Sequence, residues 1–393
     1  MDLFNYWRTK RYLDSIGEGF CLEKWFSNTI HLGTGTEHGC HHVPPTKISV
    51  KEINENPYSL FNHNQKREVR RQMLSGEKPA ECAYCWKAKK TQDRVLQSSK
   101  YYNWENRKSV LGEYSMPKYL EISLGNTCSL ACAYCGPSFS SKWQSEILKH
   151  GSMPHHTGTV KTINKNNPYK KAFFDIWINI HPNLEELRFT GGEPLMYDEI
   201  FDLIKDVNSN CDVTVNTGLG VPRYVLEKFL KKCSHLDCVT FAISGESAGK
   251  QAEYTRYGIN YVDFLRNVEL ISSQKNVKIE LMTVYNALCL ETYTDYITDM
   301  QNITKVDIGI SELTTPSFLH HSIFDVNKQN HLDFLKKVSN KAYKQLESIL
   351  TKEQKYDIVK QREDFKQFVK NYDKRRNTNF KNTFSILGEL YER

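Results

Sequence analysis

Three cysteines fall within eight residues: the segment GNTCSLACAYCGP carries Cys128, Cys132 and Cys135 with three and then two residues between them. An odd number of thiols suits neither a disulfide framework, which needs pairs, nor a closed zinc site, which takes four ligands. Thiolates are soft ligands that suit iron–sulfur clusters. Three of them on a four-iron cube leave one iron open, and that iron is where a substrate or cosubstrate would bind.

The elements that must hold this loop can be read from periodicity. Between about residues 117 and 312, short apolar and β-branched segments (KYLEISL, LEELRFT, DVTVN, CVTFAIS, VKIELMTV and KVDIGIS) alternate with amphipathic ones such as YDEIFDLIKDVN, PRYVLEKFLKKC and YVDFLRNVELISS. A repeated β-α pattern implies an α/β fold with a parallel sheet covered by helices. Six units suit an incomplete barrel whose functional groups sit at the C-terminal strand ends. The cysteine loop follows the first of these strands and so belongs to that end. Three zones result: 1–115, with scattered cysteines, turn-rich stretches such as HLGTGTEHGCHHVPP and a basic helical stretch near NQKREVRRQMLSGE; 116–315, the β-α series; and 316–393, a helical extension.

With 393 residues, 39% hydrophobic and 12% aromatic, the chain can bury a sizeable core. No apolar run approaches the roughly 18–20 residues of a membrane helix. The first residues, MDLFNYWRTKRYLDSIGEGF, lack the apolar run and small-residue cleavage site of a signal peptide. A cytoplasmic, reducing setting is expected, in which eleven cysteines read as metal ligands or buried thiols. The net charge is +7, and Lys328 to Lys381 holds fifteen Lys and Arg against seven Asp and Glu. Such a face is ordinarily a solvated surface; contact with nucleic acid has no further support here.

With Cys128, Cys132, Tyr134 and Cys135 in C-x3-C-x-aromatic-C order, the sequence resembles the radical S-adenosylmethionine (radical SAM) superfamily. FTGGEPL (189–195), VNTG (215–218), AISGES (242–247) and YTRYG (254–258) continue the likeness in order. The resemblance implies a partial (β/α)6 TIM-like barrel and a [4Fe–4S] cluster on the three cysteines. It implies S-adenosylmethionine on the open iron and a 5′-deoxyadenosyl radical that abstracts hydrogen from substrate. It assigns Glu193 to the cosubstrate's amino group, Gly191 and Gly192 to close backbone approach, and Arg256 to the carboxylate. Asn216 and Ser244 would lie near the ribose and Tyr134 near the adenine. A flavodoxin- or ferredoxin-type protein would supply the electron.

Cys21, Cys40, Cys82 and Cys85, with Gly35, form C-x13-G-x4-C, a gap, and C-x2-C. This resembles the auxiliary-cluster modules called SPASM or twitch domains, although those usually follow the barrel. The likeness implies a second, fully ligated [4Fe–4S] cluster; a structural four-cysteine zinc site fits the same residues. His38, His41 and His42 read as loop residues, and Cys211, Cys233, Cys238 and Cys289 as core. GESAGKQ is one residue short of a phosphate-binding loop and has Gln251 where Ser or Thr is needed; with GTGTEHG it reads as a turn. Glu312, His320 and His321 would lie near the barrel mouth as polar loop residues or acid–base groups. The substrate class expected first is a peptide or protein; the alternative is oxidation or epimerisation of a small metabolite, sugar or nucleotide.

Overall fold

All six segments expected as strands form them: β4 (Tyr119–Ser123), β6 (Glu186–Thr190), β7 (Asp212–Thr217), β8 (Val239–Ser244), β10 (Val277–Tyr285) and β11 (Asp307–Glu312). Side chains alternate across a strand, and in β10 the buried face is Ile279, Leu281, Thr283 and Tyr285. The computed structural model describes residues 3–87, 91–101, 112–154, 166–353 and 356–392. It divides into two units: Met1–Gly125 with Asn164–Thr190 and Asp206–Val213, and Asn126–Ile163 with Gly191–Lys205 and Thr214–Arg393.

In the first unit β4 and β6 run parallel, with Ile122 opposite Phe189. The stretch expected to be turn-rich contributes strands as well: β1 (Ser27–His31) lies parallel to β4, and β2 (Thr36–His38) and β3 (Thr46–Lys47) follow antiparallel. Polar composition hid them, because Asn28 and Glu37 are buried yet hydrophilic. They are tolerated through the helix Asn64–Leu74, whose Lys66 ammonium bonds to Asn28 Oδ1 and lies 2.6 Å from Glu37 Oε1. His63 Nε2 meets the other Glu37 oxygen at 2.9 Å. Burial alone would push this carboxyl up; Lys66 and His63 hold it down at about 2. Gly35 turns the β1–β2 hairpin at φ +64°, and a Cβ there would stand 2.1 Å from the Tyr169 ring. Only the first part of GTGTEHG, up to Gly35, is the expected turn; Thr36–His38 within it is strand β2, so His38 is not a loop residue.

In the second unit the strand order is β11-β10-β8-β7, and β10 is parallel to both neighbours. The amphipathic stretches form the helices Asp198–Asp206, Arg223–Lys232 and Tyr261–Ser272, each burying its apolar stripe, as with Phe264, Val268 and Ile271. GESAGKQ departs from the expected turn: a helix, Gly249–Thr255, starts inside it. The charged C-terminal zone is helical over Gln329–Val338, Asn340–Leu350 and Ile358–Arg376. Cys211 in the first unit and Cys233 and Cys289 in the second are core residues; Cys238 is only half-buried, because it lies at the entry to β8. Among the described residues no helix is long and apolar enough to cross a membrane.

Candidate active site

The loop after β4 folds back on itself through its own polar groups. Cys128 N–H donates to Ser141 Oγ at 3.1 Å, at the start of the helix Ser141–His150. Cys135 N–H donates to the Cys132 carbonyl at 3.0 Å. A two-residue strand, β5 (Ala131–Cys132), pairs antiparallel with β9 (Arg256–Tyr257), so that Cys132 is opposite Arg256. None of the three thiols is in a disulfide, and Cys132 adds to the upward shift of both Cys128 and Cys135. Burial is the larger cause, pushing Cys128 and Cys135 up to about 12 and Cys132 up as well. Metal binding here must therefore displace protons.

The GGE segment is built against this loop. Gly191 adopts φ +113°, a conformation that L side chains rarely occupy. A Cβ on Gly192 would stand 2.3 Å from the Thr127 carbonyl oxygen, so only glycine allows the approach. Next to it, Glu193 N–H donates to that same carbonyl at 2.7 Å. The Glu193 carboxylate is buried and accepts from Thr217 Oγ1 at 2.8 Å, Gly218 N–H at 3.0 Å and Leu195 N–H at 3.3 Å. Burial raises its pKa, with these donors opposing.

Arg256 is buried beside it. Its Nη1 donates to Tyr134 Oη at 2.5 Å and lies 3.7 Å from Glu246 Oε2, to which Tyr134 Oη donates at 3.0 Å. Glu246, fully buried, has no role from the sequence; its signal was a carboxylate two residues past the end of β8 in AISGES. Thr217 and Gly218, within VNTG, likewise gain a role only as donors to Glu193. Asn216 is the penultimate residue of β7 and Ser244 ends β8, both half-buried. Among the described residues Glu246 Oε1, Arg256 Nε and Tyr296 Oη are buried without a hydrogen-bond partner. Three free thiols, a cradle that a Cβ would fill, a buried carboxylate and orphaned polar atoms fit a soft-metal cluster with a zwitterionic ligand beside it.

An unexpected residue completes the loop's support. Arg376, at the end of the basic helix Ile358–Arg376, is buried rather than solvated. Its Nη1 donates to the Ala131 carbonyl at 3.0 Å and its Nε to Glu146 at 3.0 Å, while its guanidinium stacks 3.8 Å from the Tyr372 ring centroid and 4.4 Å from that of Trp143.

In the other unit, Cys21, Cys40, Cys82 and Cys85 line one small cavity together with His42, Lys24 and Arg94. Burial pushes Cys40 up to about 11 and Cys82 to about 12, and the neighbouring thiols add to it. Cys82 and Cys85 come from a helical turn and the short helix Ala83–Lys87, and Cys40 follows β2. Lys24, buried, is ion-paired with Glu81. His42 stacks on Tyr84 at 4.2 Å, and its N–H reaches Cys40 Sγ at 3.4 Å.

The model of a family described as the radical SAM superfamily matches residues 122–297. The GTP 3',8-cyclase of Desulforamulus reducens is 29% identical over 194 residues, 48% of this chain and 51% of its own length. That of Clostridium perfringens is 28% identical over 201 residues, 50% and 55% of the two chains. This chain thus spans about half the length of the curated relatives it matches. Among solved structures, Streptococcus suis SuiB bound to precursor peptide SuiA aligns at a TM-score of 0.38 and 12% identity, over 83% of this chain and 70% of that one. TYW1 with a lysine-pyruvate adduct bound aligns at 0.30 and 13%, over 55% and 70%. At such scores these likenesses carry no functional weight.

Proposed function

We propose, from the match of residues 122–297 to the radical SAM superfamily model, that this chain is a radical SAM enzyme in which Cys128, Cys132 and Cys135 hold a [4Fe–4S] cluster whose open iron receives S-adenosylmethionine. The observation that carries this reading is Glu193, a buried carboxylate tied by its own backbone to Thr127 of the cysteine loop. When bound, the cluster and S-adenosylmethionine supply one-electron cleavage of the sulfonium and the radical that takes hydrogen from substrate. The chain's own residues bind and orient. Glu193 accepts from the amino group, a charge-assisted bond. Arg256, held by Tyr134 and Glu246, faces the carboxylate, while Asn216 and Ser244 serve the ribose.

Cys21, Cys40, Cys82 and Cys85 hold an auxiliary [4Fe–4S] cluster in this proposal. Support comes from the one small cavity that all four cysteines line. Zinc is the competing occupant. For substrate, the leading reading is a peptide or protein, modified after synthesis, with a flavodoxin- or ferredoxin-type donor and a cytoplasmic setting. A second reading, a nucleotide, is favoured by the matched relatives being GTP 3',8-cyclases.

The test uses anaerobic, reconstituted protein and a low-potential reductant. Formation of 5′-deoxyadenosine from S-adenosylmethionine is expected, and its absence from cluster-loaded protein would sink the reading. Deuterium passing into 5′-deoxyadenosine from labelled peptides, but not from labelled GTP, would favour the first substrate class; the reverse would select the second.

A further inference from the structure

β11 ends on Glu312, and the chain returns through two short helical turns, Ser317–Leu319 and His321–Ile323, that bring two histidines to this carboxylate. His320 Nε2 lies 2.9 Å from Glu312 Oε1, and His321 Nε2 lies 3.7 Å from the same oxygen. One donor atom from each of the three side chains falls within 4.8 Å of the others. The side chains of His320 and His321 are 1% and 4% exposed.

An ordinary polar cluster would account for two of the three. Glu312 Oε2 pairs with Lys352 Nζ at 2.6 Å. His320 Nδ1 is 2.7 Å from Ser322 Oγ and accepts from Ser322 N–H at 3.2 Å. It does not account for His321. Among the described residues neither of its ring nitrogens has a hydrogen-bond partner, although the ring is buried between His320 and Tyr285, with centroids 4.2 and 5.5 Å away. Buried polar groups are ordinarily satisfied, and an exception points to something that completes them.

We propose that Glu312, His320 and His321 bind a divalent transition metal, zinc by preference, through Oε1 and the two Nε2 atoms. Two imidazoles and one carboxylate are a donor set for zinc and iron(II) that leaves room for water or substrate. Ser322 supplies the outer partner that such histidines require: with Nε2 on the metal, the proton of neutral His320 moves to Nδ1 and donates to Ser322 Oγ, and the Ser322 N–H gives up its bond to Nδ1. Lys352 keeps the second carboxylate oxygen. The site lies at the C-terminal end of β11, where β/α folds carry their functional groups. It uses none of the cysteines, so it is independent of the cluster assignments.

The full chain, loaded anaerobically with iron and sulfide and stripped of loosely held metal, is titrated with cobalt(II). Binding of one equivalent is expected, with visible d–d absorption, imidazole scattering in the cobalt X-ray absorption spectrum, and displacement by zinc. Cobalt taken up by cysteines would announce itself by a sulfur-to-cobalt charge-transfer band and a sulfur shell, so failure of the cluster reading is seen separately. His321→Gln and Glu312→Gln should each weaken the imidazole-bound equivalent at least tenfold while iron content and circular dichroism stay unchanged. Absence of any imidazole-bound equivalent, or equal affinity in His321→Gln, would overturn the proposal. If both variants misfold, the absorption spectrum of the unmodified protein decides by itself.

Discussion

A carboxylate that must receive a cation works best when the chain that holds the reacting centre also holds it. Glu193 meets this condition, since its N–H bonds to the Thr127 carbonyl one residue before Cys128. Its present hydrogen-bond partners are neutral donors, Thr217 Oγ1 and two N–H groups, so no cationic donor occupies the carboxylate. Glu193→Gln keeps the shape and removes the charge. A hydrogen bond to a charged group contributes about 1.5–3 kcal/mol, so half-maximal formation of 5′-deoxyadenosine should need roughly 10- to 100-fold more S-adenosylmethionine. An unchanged concentration dependence would remove Glu193 from the binding site. Glu246→Gln tests the neighbouring carboxylate by another route: because it orients Arg256 and Tyr134, its loss should likewise lower affinity for S-adenosylmethionine while leaving iron at the three cysteines untouched.

Two helices that carry no cysteine support the cysteine-bearing segments. The helix Ile358–Arg376 delivers a guanidinium to the Ala131 carbonyl and the Trp143 and Tyr372 rings. Arg376→Lys preserves charge but loses the planar fork and the stacking. Iron retained at Cys128, Cys132 and Cys135 should fall, together with about 2 kcal/mol of stability in urea unfolding. In the other unit the helix Asn64–Leu74 neutralises Glu37 on the strand that leads to Cys40. Lys66→Met leaves that carboxylate buried and short of its main partner, which should destabilise by about 3–5 kcal/mol. The pH dependence has a definite sign. Glu37 is held at about 2 against an ordinary 4.5, so its contribution is complete above pH 4.5 and is lost as pH falls from there through about 2. Urea unfolding at pH 6 and pH 3 should show this loss, and Glu37→Gln should flatten it.

At the scale of the whole chain the two cysteine sets are separate claims with separate iron. Anaerobic reconstitution should give about eight irons per chain if both sets hold four-iron clusters. Changing Cys128, Cys132 and Cys135 to Ala should leave about four and abolish cleavage of S-adenosylmethionine. Changing Cys82 and Cys85 to Ala should also leave about four, but cleavage at the first cluster should persist. About four irons with one zinc per chain would assign the N-terminal set to zinc instead. The surplus of basic residues from Lys328 to Lys381 is not all solvated surface, since Arg376 is buried and Lys328 is half-buried.

Local chemistry determined much of this protein from the sequence alone. The odd cysteine count, the GGE segment and the six β-branched runs each act through neighbours a few positions away, so spacing and periodicity reveal them. The core assignment of Cys233 and Cys289 follows for the same reason. What the sequence could not reveal depends on partners distant in the chain. β1 and β2 look like loop because their buried Asn28 and Glu37 are polar, and Lys66 and His63, 29 and 26 residues from Glu37, are what let that carboxylate be buried. Glu246 acquires a role only once Tyr134, 112 residues away, and Arg256 close around it. Arg376 reads as surface charge until Ala131, 245 residues away, accepts its hydrogen bond. Desolvation and charge pairing are properties of the assembled interior, and the tertiary structure alone decided which polar residues would enter it.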